Sequence, residues 1–359
     1  MKRIFAALAL TGALGACASS SGGSDSDGAD VLRSTDTVGI GECDQPLVSE
    51  DTGCEDDADD GTTDTDETVD PNQYNGNVSN IGFDTATGEV VIDGLPFDGD
   101  NSYTRNAFAS DSSALATNSS FDAYTASNGS TTYYALFRRS ESGYAQVGAS
   151  ATDRYITFGP TGAGAQRLAG DGALPSSQNS YQFNGEYAAV RTIVDDAADT
   201  VVQYVSGTIR LDVDTDDFDG RGEVSGVVQD RVFYDTNGNT LFTTDTSVGG
   251  RDQEYISLTD GAIDFDDWTI SSASGSAAIV ANGALSDPGA TGVPADAEGS
   301  RQITSGDWSG VFAGPNGEEV AGVLLVEGQG AVGIDESTGQ TIILTADNIQ
   351  EVGTFVARR

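Results

Sequence analysis

Apolar residues in this chain come in short runs separated by polar ones, and the alternation sharpens toward the C-terminal half. Residues 208–214 alternate strictly, so Ile209, Leu211 and Val213 share one face of a strand. Residues 224–234 follow a glycine-containing turn, and Asn237-Gly238 predicts a hairpin into Leu241-Phe242. Residues 255–258, 262–265 and 268–270 extend the meander, and 283–303 read as a Gly/Pro/Asp loop. The final strands are predicted at 308–312, 320–326, 341–344 and 353–357. This is roughly eight to ten strands with no long helix. An antiparallel barrel closes such a set without exposed edges, although a sandwich has the same pattern. Upstream, strands are predicted at 90–92, 133–137 and 155–158, with Ser/Asn/Gly loops between them.

The N-terminus has a different pattern. Lys2-Arg3 precedes an apolar run from Ile4 to Ala13, which is too short to span a bilayer as a mature helix. Leu14-Gly15-Ala16-Cys17 then resembles the bacterial lipobox, in which the cysteine is acylated and the signal removed. Cys17 is therefore the expected lipidation site and residues 1–16 the signal peptide. Ala18, in place of an aspartate, points away from retention at the inner membrane. Residues 17–74 are rich in Ser, Gly and Asp and culminate in Glu55-Asp56-Asp57-Ala58-Asp59-Asp60, the composition of a disordered acidic tether. Cys43 and Cys54 fall within it, and in an exported chain they read as a disulfide closing a small loop. The body divides into a β-rich unit at 75–178 and a barrel at 179–359.

Charge and missing residue types narrow the chemistry. The 359 residues carry 57 acidic against 16 basic groups, a net charge of −41. Lys2 is the only lysine, so every cation beyond the signal is an arginine. Such a field repels nucleic acid and favours screening salt, as in a marine or salt-tolerant source. There is no histidine, and the one methionine is Met1. A histidine-based nucleophilic triad is excluded, and zinc, copper and haem sites lose their usual ligands. No cofactor is predicted.

The segment 308–323, Trp-Ser-Gly-Val-Phe-Ala-Gly-Pro-Asn-Gly-Glu-Glu-Val-Ala-Gly-Val, resembles a signature of transferrin-binding-protein-B-like lipoproteins. Gly310, Phe312, Gly314, Pro315, Glu318, Glu319, Val320 and Gly322 carry it, together with the closing Gly353-x-Phe355 strand that ends in Arg358-Arg359. Its physics stands alone. Pro315 sets φ for a turn, Asn316-Gly317 tolerate left-handed backbone, and Gly310 and Gly322 permit close approach. The resemblance implies a β-rich handle followed by an eight-stranded antiparallel barrel, anchored by lipid in the outer membrane and displayed at the cell surface. It implies binding of a protein or of an iron- or haem-type ligand, and it assigns no ligand-binding residue.

Other constellations have simpler explanations. Asp212, Asp214, Asp216 and Glu223 match positions 1, 3, 5 and 12 of a calcium loop, but Asp217 replaces its glycine and strands flank it. An acidic hairpin is the first reading and a calcium site the second. Asp266-Asp267 and Glu318-Glu319 are adjacent carboxylates, which point to opposite faces of a strand and cannot act as a glycosidase couple. Tyr133-Tyr134 leave one ring for exposure, and the neighbouring Arg138-Arg139 are candidate anion contacts. The expected function is a non-catalytic binding lipoprotein with a membrane partner and no nucleic-acid partner. A structural envelope protein is the alternative, and a carboxylate-only glycan hydrolase the third reading.

Overall fold

The computed structural model describes residues 31–32, 36–41, 47–48, 78, 80–95, 101–107, 113–152, 161–194, 200–216, 222–244, 254–282, 284–285, 300–335 and 342–359. Two sheets account for almost all of them, antiparallel as the sequence pattern predicts except where Ala284–Leu285 pairs in parallel with the last strand. The first contains β1 (Val31–Leu32), β2 (Asp36–Gly41), β3 (Leu47–Val48), β4 (Asn80–Asp84), β5 (Val90–Asp93), β6 (Ser102–Arg105), β7 (Asp122–Asn128), β8 (Thr131–Arg139), β9 (Ala145–Thr152) and β10 (Thr161–Arg167). Its spatial order is β1-β4-β5-β6-β7-β8-β9-β10-β2-β3. A one-turn helix, α1 (Ala114–Asn118), starts at Ser113, whose hydroxyl accepts from the Ala116 amide.

The second sheet contains β11 (Ser180–Val194), β12 (Thr200–Asp214), β13 (Glu223–Tyr234), β14 (Thr240–Thr243), β15 (Glu254–Asp264), β16 (Thr269–Ser272), β17 (Ala277–Asn282), β18 (Ala284–Leu285), β19 (Ser300–Gln302), β20 (Thr304–Ala313), β21 (Glu319–Asp335) and β22 (Ile342–Arg358). The order β13-β12-β11-β22-β21-β20-β16-β15 returns to its start, because β13 also pairs with β15. That is an eight-stranded barrel. β16 and β17 share one stave, pairing with opposite halves of β15.

The barrel is filled by side chains. On β11, Phe183, Tyr187, Ala189 and Ile193 point inward, and Trp308, Phe312, Leu324, Val326 and Phe355 join them from β20, β21 and β22. Glycines on neighbouring strands make room for the large rings. A Cβ on Gly261 would lie 2.4 Å from the Trp308 indole, and one on Gly322 would lie 2.2 Å from the Phe355 ring. Gly322 therefore serves a ring crossing it, and Gly310 is its direct partner across β20 and β21.

The outward face of the barrel is also apolar. Val190, Tyr204, Val311, Val323 and Val352 pack against Leu136, Val147, Ala149 and Ala163 of the first sheet. The other side of that sheet is covered by Ile81, Val90, Ile92, Tyr103 and Tyr133. β9 and β10 are therefore buried on both faces, and every residue of each is buried. This explains their composition of Ala, Gly, Ser and Thr: a Cβ on Gly164 would meet a Val78 methyl at 2.9 Å.

The small-residue loop expected between the strands at 133–137 and 155–158 thus contains a central strand, β9, and a second, β10, lies beyond the last strand expected upstream. Small residues suit a sheet squeezed between two layers, and they carry little hydrophobic signal. The expected tether also changes. Asp36–Gly41 pairs with β10 and Val31–Leu32 with β4, because Thr37-Val38-Gly39-Ile40 retains strand alternation amid the acidic composition. The strands expected at 341–344 and 353–357 are, from Ile342 onward, a single strand, β22. Polar Asp347, Asn348, Gln350 and Glu351 interrupt its apolar pattern without ending its ladder to β21. Residues 255–258 and 262–265 likewise form one strand, ending at Asp264, with Asp260 at positive φ between them. Cys17, Cys43, Cys54 and residues 155–158 lie outside the described residues.

Candidate functional site

Two places concentrate polar chemistry. One is the joint between the sheets. Arg167, at the end of β10, is almost fully buried and reaches across to the barrel. Its Nε donates to the carbonyl of Phe312 at 2.7 Å, and its Nη2 donates to the carbonyls of Asp267 and Trp268 at 2.5 and 3.2 Å. The motif turn docks beside it. Gly314 and Gly317 have φ of 90° and 59°, left-handed values that suit glycine. The Gly314 amide donates to the Ala169 carbonyl at 2.9 Å, and its own carbonyl accepts from Gly172 at 3.1 Å. The Glu318 carboxyl accepts from the side-chain amide of Asn316 at 2.8 Å, which holds it below the usual carboxylate range. Glu319 is buried and accepts from Ser142 Oγ at 2.6 Å. Pro315 and Val320 flank the same turn, at the start of β21.

The second place is inside the barrel. Tyr187, Arg191, Arg231, Glu254 and Glu351 are fully buried. Arg231 is ion-paired to both Glu254 and Glu351. The Tyr187 hydroxyl donates to Glu351 Oε1 at 2.7 Å, and the Ala331 amide donates to Glu254 Oε2 at 2.8 Å. Arg191 Nε stands 3.8 Å from Glu351 Oε2. Both guanidinium carbons lie 5.0 Å from the centroid of Phe233, whose other neighbour is the stacked ring of Phe242 at 4.3 Å. Burial lowers the pKa of Arg191. Burial also acts against charge on Arg231, but its two carboxylate partners outweigh it and raise the pKa.

Sequence reasoning did not single out this cluster, yet its signal is the strand alternation itself. Arg191 shares parity with inward Tyr187, Ala189 and Ile193. Glu351 shares parity with Ile349 and Phe355, and Glu254 with Ile256 and Leu258. The arrangement is a sealed, charge-balanced network linking β11, β13, β15 and β22.

The sequence candidates fall elsewhere. Asp212 and Asp214 lie at the end of β12, Asp216 just beyond it, and Glu223 opens β13 opposite Asp214. Asp212 accepts from Gln182 at 2.8 Å and pairs with Arg210, Asp214 accepts from the Asp216 amide, and Asp216 accepts from Asn179 at 2.8 Å. Among the described residues no group of three or more metal-ligating side chains gathers. Arg138 is not a free anion contact. It pairs with Glu186 at 3.1 Å and lies over Phe121, because β8 faces the barrel wall there. Tyr133 is fully buried, and Tyr134 packs edge-on to Tyr204 at 6.4 Å, so neither ring is an exposed platform. Asp267 is engaged by the amide and hydroxyl of Thr269, and the Asp264 carboxyl accepts from the Asp266 amide.

These features define an all-β lobe, a closed barrel fused to a second sheet. The fold is similar to that of transferrin binding protein B. A double mutant of that protein from Haemophilus parasuis Hp5 shares 14% identity over 76% of this chain, with a TM-score of 0.33. The isotype 1 protein from serogroup B Neisseria meningitidis shares 14% over 78%, with a TM-score of 0.31. Intact Ap-TbpB, with N and C lobes, shares 15% over 67%, with a TM-score of 0.32. The matches span 40%, 41% and 38% of those structures, well under half of each. No protein-family model and no curated protein matches the chain.

Proposed function

We propose that this chain is a lipid-anchored, non-catalytic binding module of the bacterial outer membrane, acting on a partner protein through its outer surface. The filled barrel carries this reading. Rings of Trp308, Phe312 and Phe355 occupy the interior, and its charged groups are paired and sealed from solvent. A partner therefore meets hairpin tips and strand edges. Leu14-Gly15-Ala16-Cys17 supplies the anchor, and the Ser/Gly/Asp-rich residues between Cys17 and β1 supply reach from the membrane.

The experiment has two arms. Cells making the full chain or Cys17→Ser are labelled with palmitate, fractionated, and probed with antibody while intact. Palmitate in the full chain alone, with surface staining, is expected. A Cys17→Ser chain that stays in the membrane would sink the anchor. Purified full chain is then titrated with fractionated growth-medium proteins by interferometry. Saturable binding to one component supports the module, and no binding to any fraction favours the structural envelope protein.

A further inference from the structure

Trp268 closes the turn between β15 and β16 with φ at 57°, a left-handed value that a bulky side chain rarely adopts. Glycine would take that backbone without strain. The backbone is held from beneath. Arg167 donates to the carbonyls of Asp267 and Trp268, and the Phe312 amide donates to the Trp268 carbonyl at 2.9 Å. What the strain secures is the position of a ring. Trp268 stands edge-on to Phe312 at 5.9 Å, and Phe312 meets Phe183 at 5.9 Å inside the barrel. On the other side Phe265 stands edge-on to Trp268 at 5.3 Å. The rings of Phe183, Phe312, Trp268 and Phe265 thus lead from the filled core to the surface. Among the described residues the exposed large apolar side chains are Val201, Leu241, Phe265 and Leu344, and Phe265 is the one aromatic among them.

Carboxylates surround that exposed ring. Asp264 and Asp266 flank it on its own turn. A Cβ on Gly222 would lie 2.9 Å from Phe265 Cζ and 3.1 Å from the Asp214 carbonyl oxygen, so the ring lies over the place where β12 ends and β13 begins. There Asp214 and Glu223 sit directly opposite each other, a like-charge pair that destabilises a sheet. Asp214, Glu223, Asp264 and Asp266 are all exposed, and none is ion-paired among the described residues. We propose that this tip anchors the partner protein, receiving an arginine- or lysine-bearing segment whose cation lies over Phe265 among these carboxylates. The inference rests on the binding-module reading and names the chemistry of the partner. A cation over an aromatic face is attracted to it, and adjacent carboxylates add to that attraction. An apolar segment would desolvate the carboxylates without pairing them, and an acidic one would be repelled.

The test titrates the purified full chain with a capped Gly-Arg-Gly-Arg-Gly-Arg-Gly peptide by calorimetry in physiological salt. Saturable binding is expected. Phe265→Ser is expected to weaken it about five- to tenfold, and Phe265→Tyr, which keeps a ring, to restore it. Asp266→Asn is expected to weaken it about threefold or more. Asp347→Asn removes the same charge from an exposed position on β22 and is expected to leave it unchanged. Equal affinity in every variant would mean that the peptide responds to net charge alone and would overturn the proposal, as would the absence of saturable binding. Failure here is separable from failure of the module. A growth-medium component that binds Phe265→Ser as tightly as the unaltered chain would overturn this anchor and leave the module standing. Peptide binding lost in Phe265→Ser, with no growth-medium fraction bound, would uphold the cationic site and count only against a partner in the medium.

Discussion

A Cβ added to Gly353 would stand 2.2 Å from the phenolic oxygen of Tyr187, so the tyrosine reaches Glu351 only because β22 has no side chain there. Gly353→Ala forces the ring aside and disturbs its 2.7 Å bond to Glu351. Overpacking of this kind costs about 1–3 kcal/mol. Urea unfolding is expected to show a lower midpoint at unchanged slope. An unshifted midpoint would mean that the ring moves freely and that the glycine has no packing role.

Among the described residues, Arg231 is the one cation ion-paired to both Glu254 and Glu351. Arg231→Met leaves Glu351 with Arg191 Nε at 3.8 Å and Glu254 with the Ala331 amide but no ion-pair partner among the described residues. Removing one member of a buried ion network costs about 3–5 kcal/mol. The informative companion replaces Arg191, Arg231, Glu254 and Glu351 together with apolar residues of similar volume. That variant is expected to recover most of the loss, since the network contributes specificity more than net stability. Equal losses in the two variants would show instead that the network itself is strongly stabilising.

Arg167 offers a different test, because its partners are carbonyls of the other sheet. Arg167→Met takes this donor from the carbonyls of Phe312 and Asp267, at about 1–3 kcal/mol, while the Trp268 carbonyl keeps the Phe312 amide at 2.9 Å. Limited proteolysis is expected to cut sooner between residues 168 and 180, where the chain crosses from one sheet to the other. An unchanged digestion rate would show that the shared apolar face holds the sheets together unaided.

The barrel was legible where alternation is strict. Ile209, Leu211 and Val213 face inward as their spacing predicts, and the turn at 314–317 has the positive φ values that its glycines suggest. The first sheet was not legible at β9 and β10. A strand buried on both faces loses alternation, and here it also loses bulk, because Gly148 and Gly164 lie under Ile81. The interior cluster was half legible. Arg191 and Glu351 sit at inward positions, but only the closed topology shows that they meet. The joint was recognised as a motif, while its partner Arg167 lies outside the motif and its role emerges only from contact.

Net charge makes a prediction of its own. At −41, mutual repulsion among exposed carboxylates opposes the compact state, and salt screens it. Stability in sodium gluconate is expected to rise steadily from dilute buffer to seawater strength. A protein most stable in dilute buffer would contradict this.

Alkaline pH probes three buried phenols at once. Burial raises Tyr124 to about 12, helped by the charge of Asp122. Burial raises Tyr187 well above the usual tyrosine range, with the Glu351 carboxylate adding to it. Burial raises Tyr204 likewise. In each case the folded state favours the neutral phenol. The unfolded chain ionises near pH 10, so these groups leave stability untouched below that pH and erode it above. For fully buried Tyr187 and Tyr204 the loss is about 1.4 kcal/mol per pH unit each once the unfolded phenols are ionised. Ultraviolet titration is expected to show exposed tyrosines ionising first. Tyr124, Tyr187 and Tyr204 should follow in one cooperative step that coincides with loss of the β-sheet circular dichroism signal. If all 12 tyrosines ionised near pH 10 with the fold intact, the barrel interior would be open to water, and the sealed network around Glu351 would be wrong.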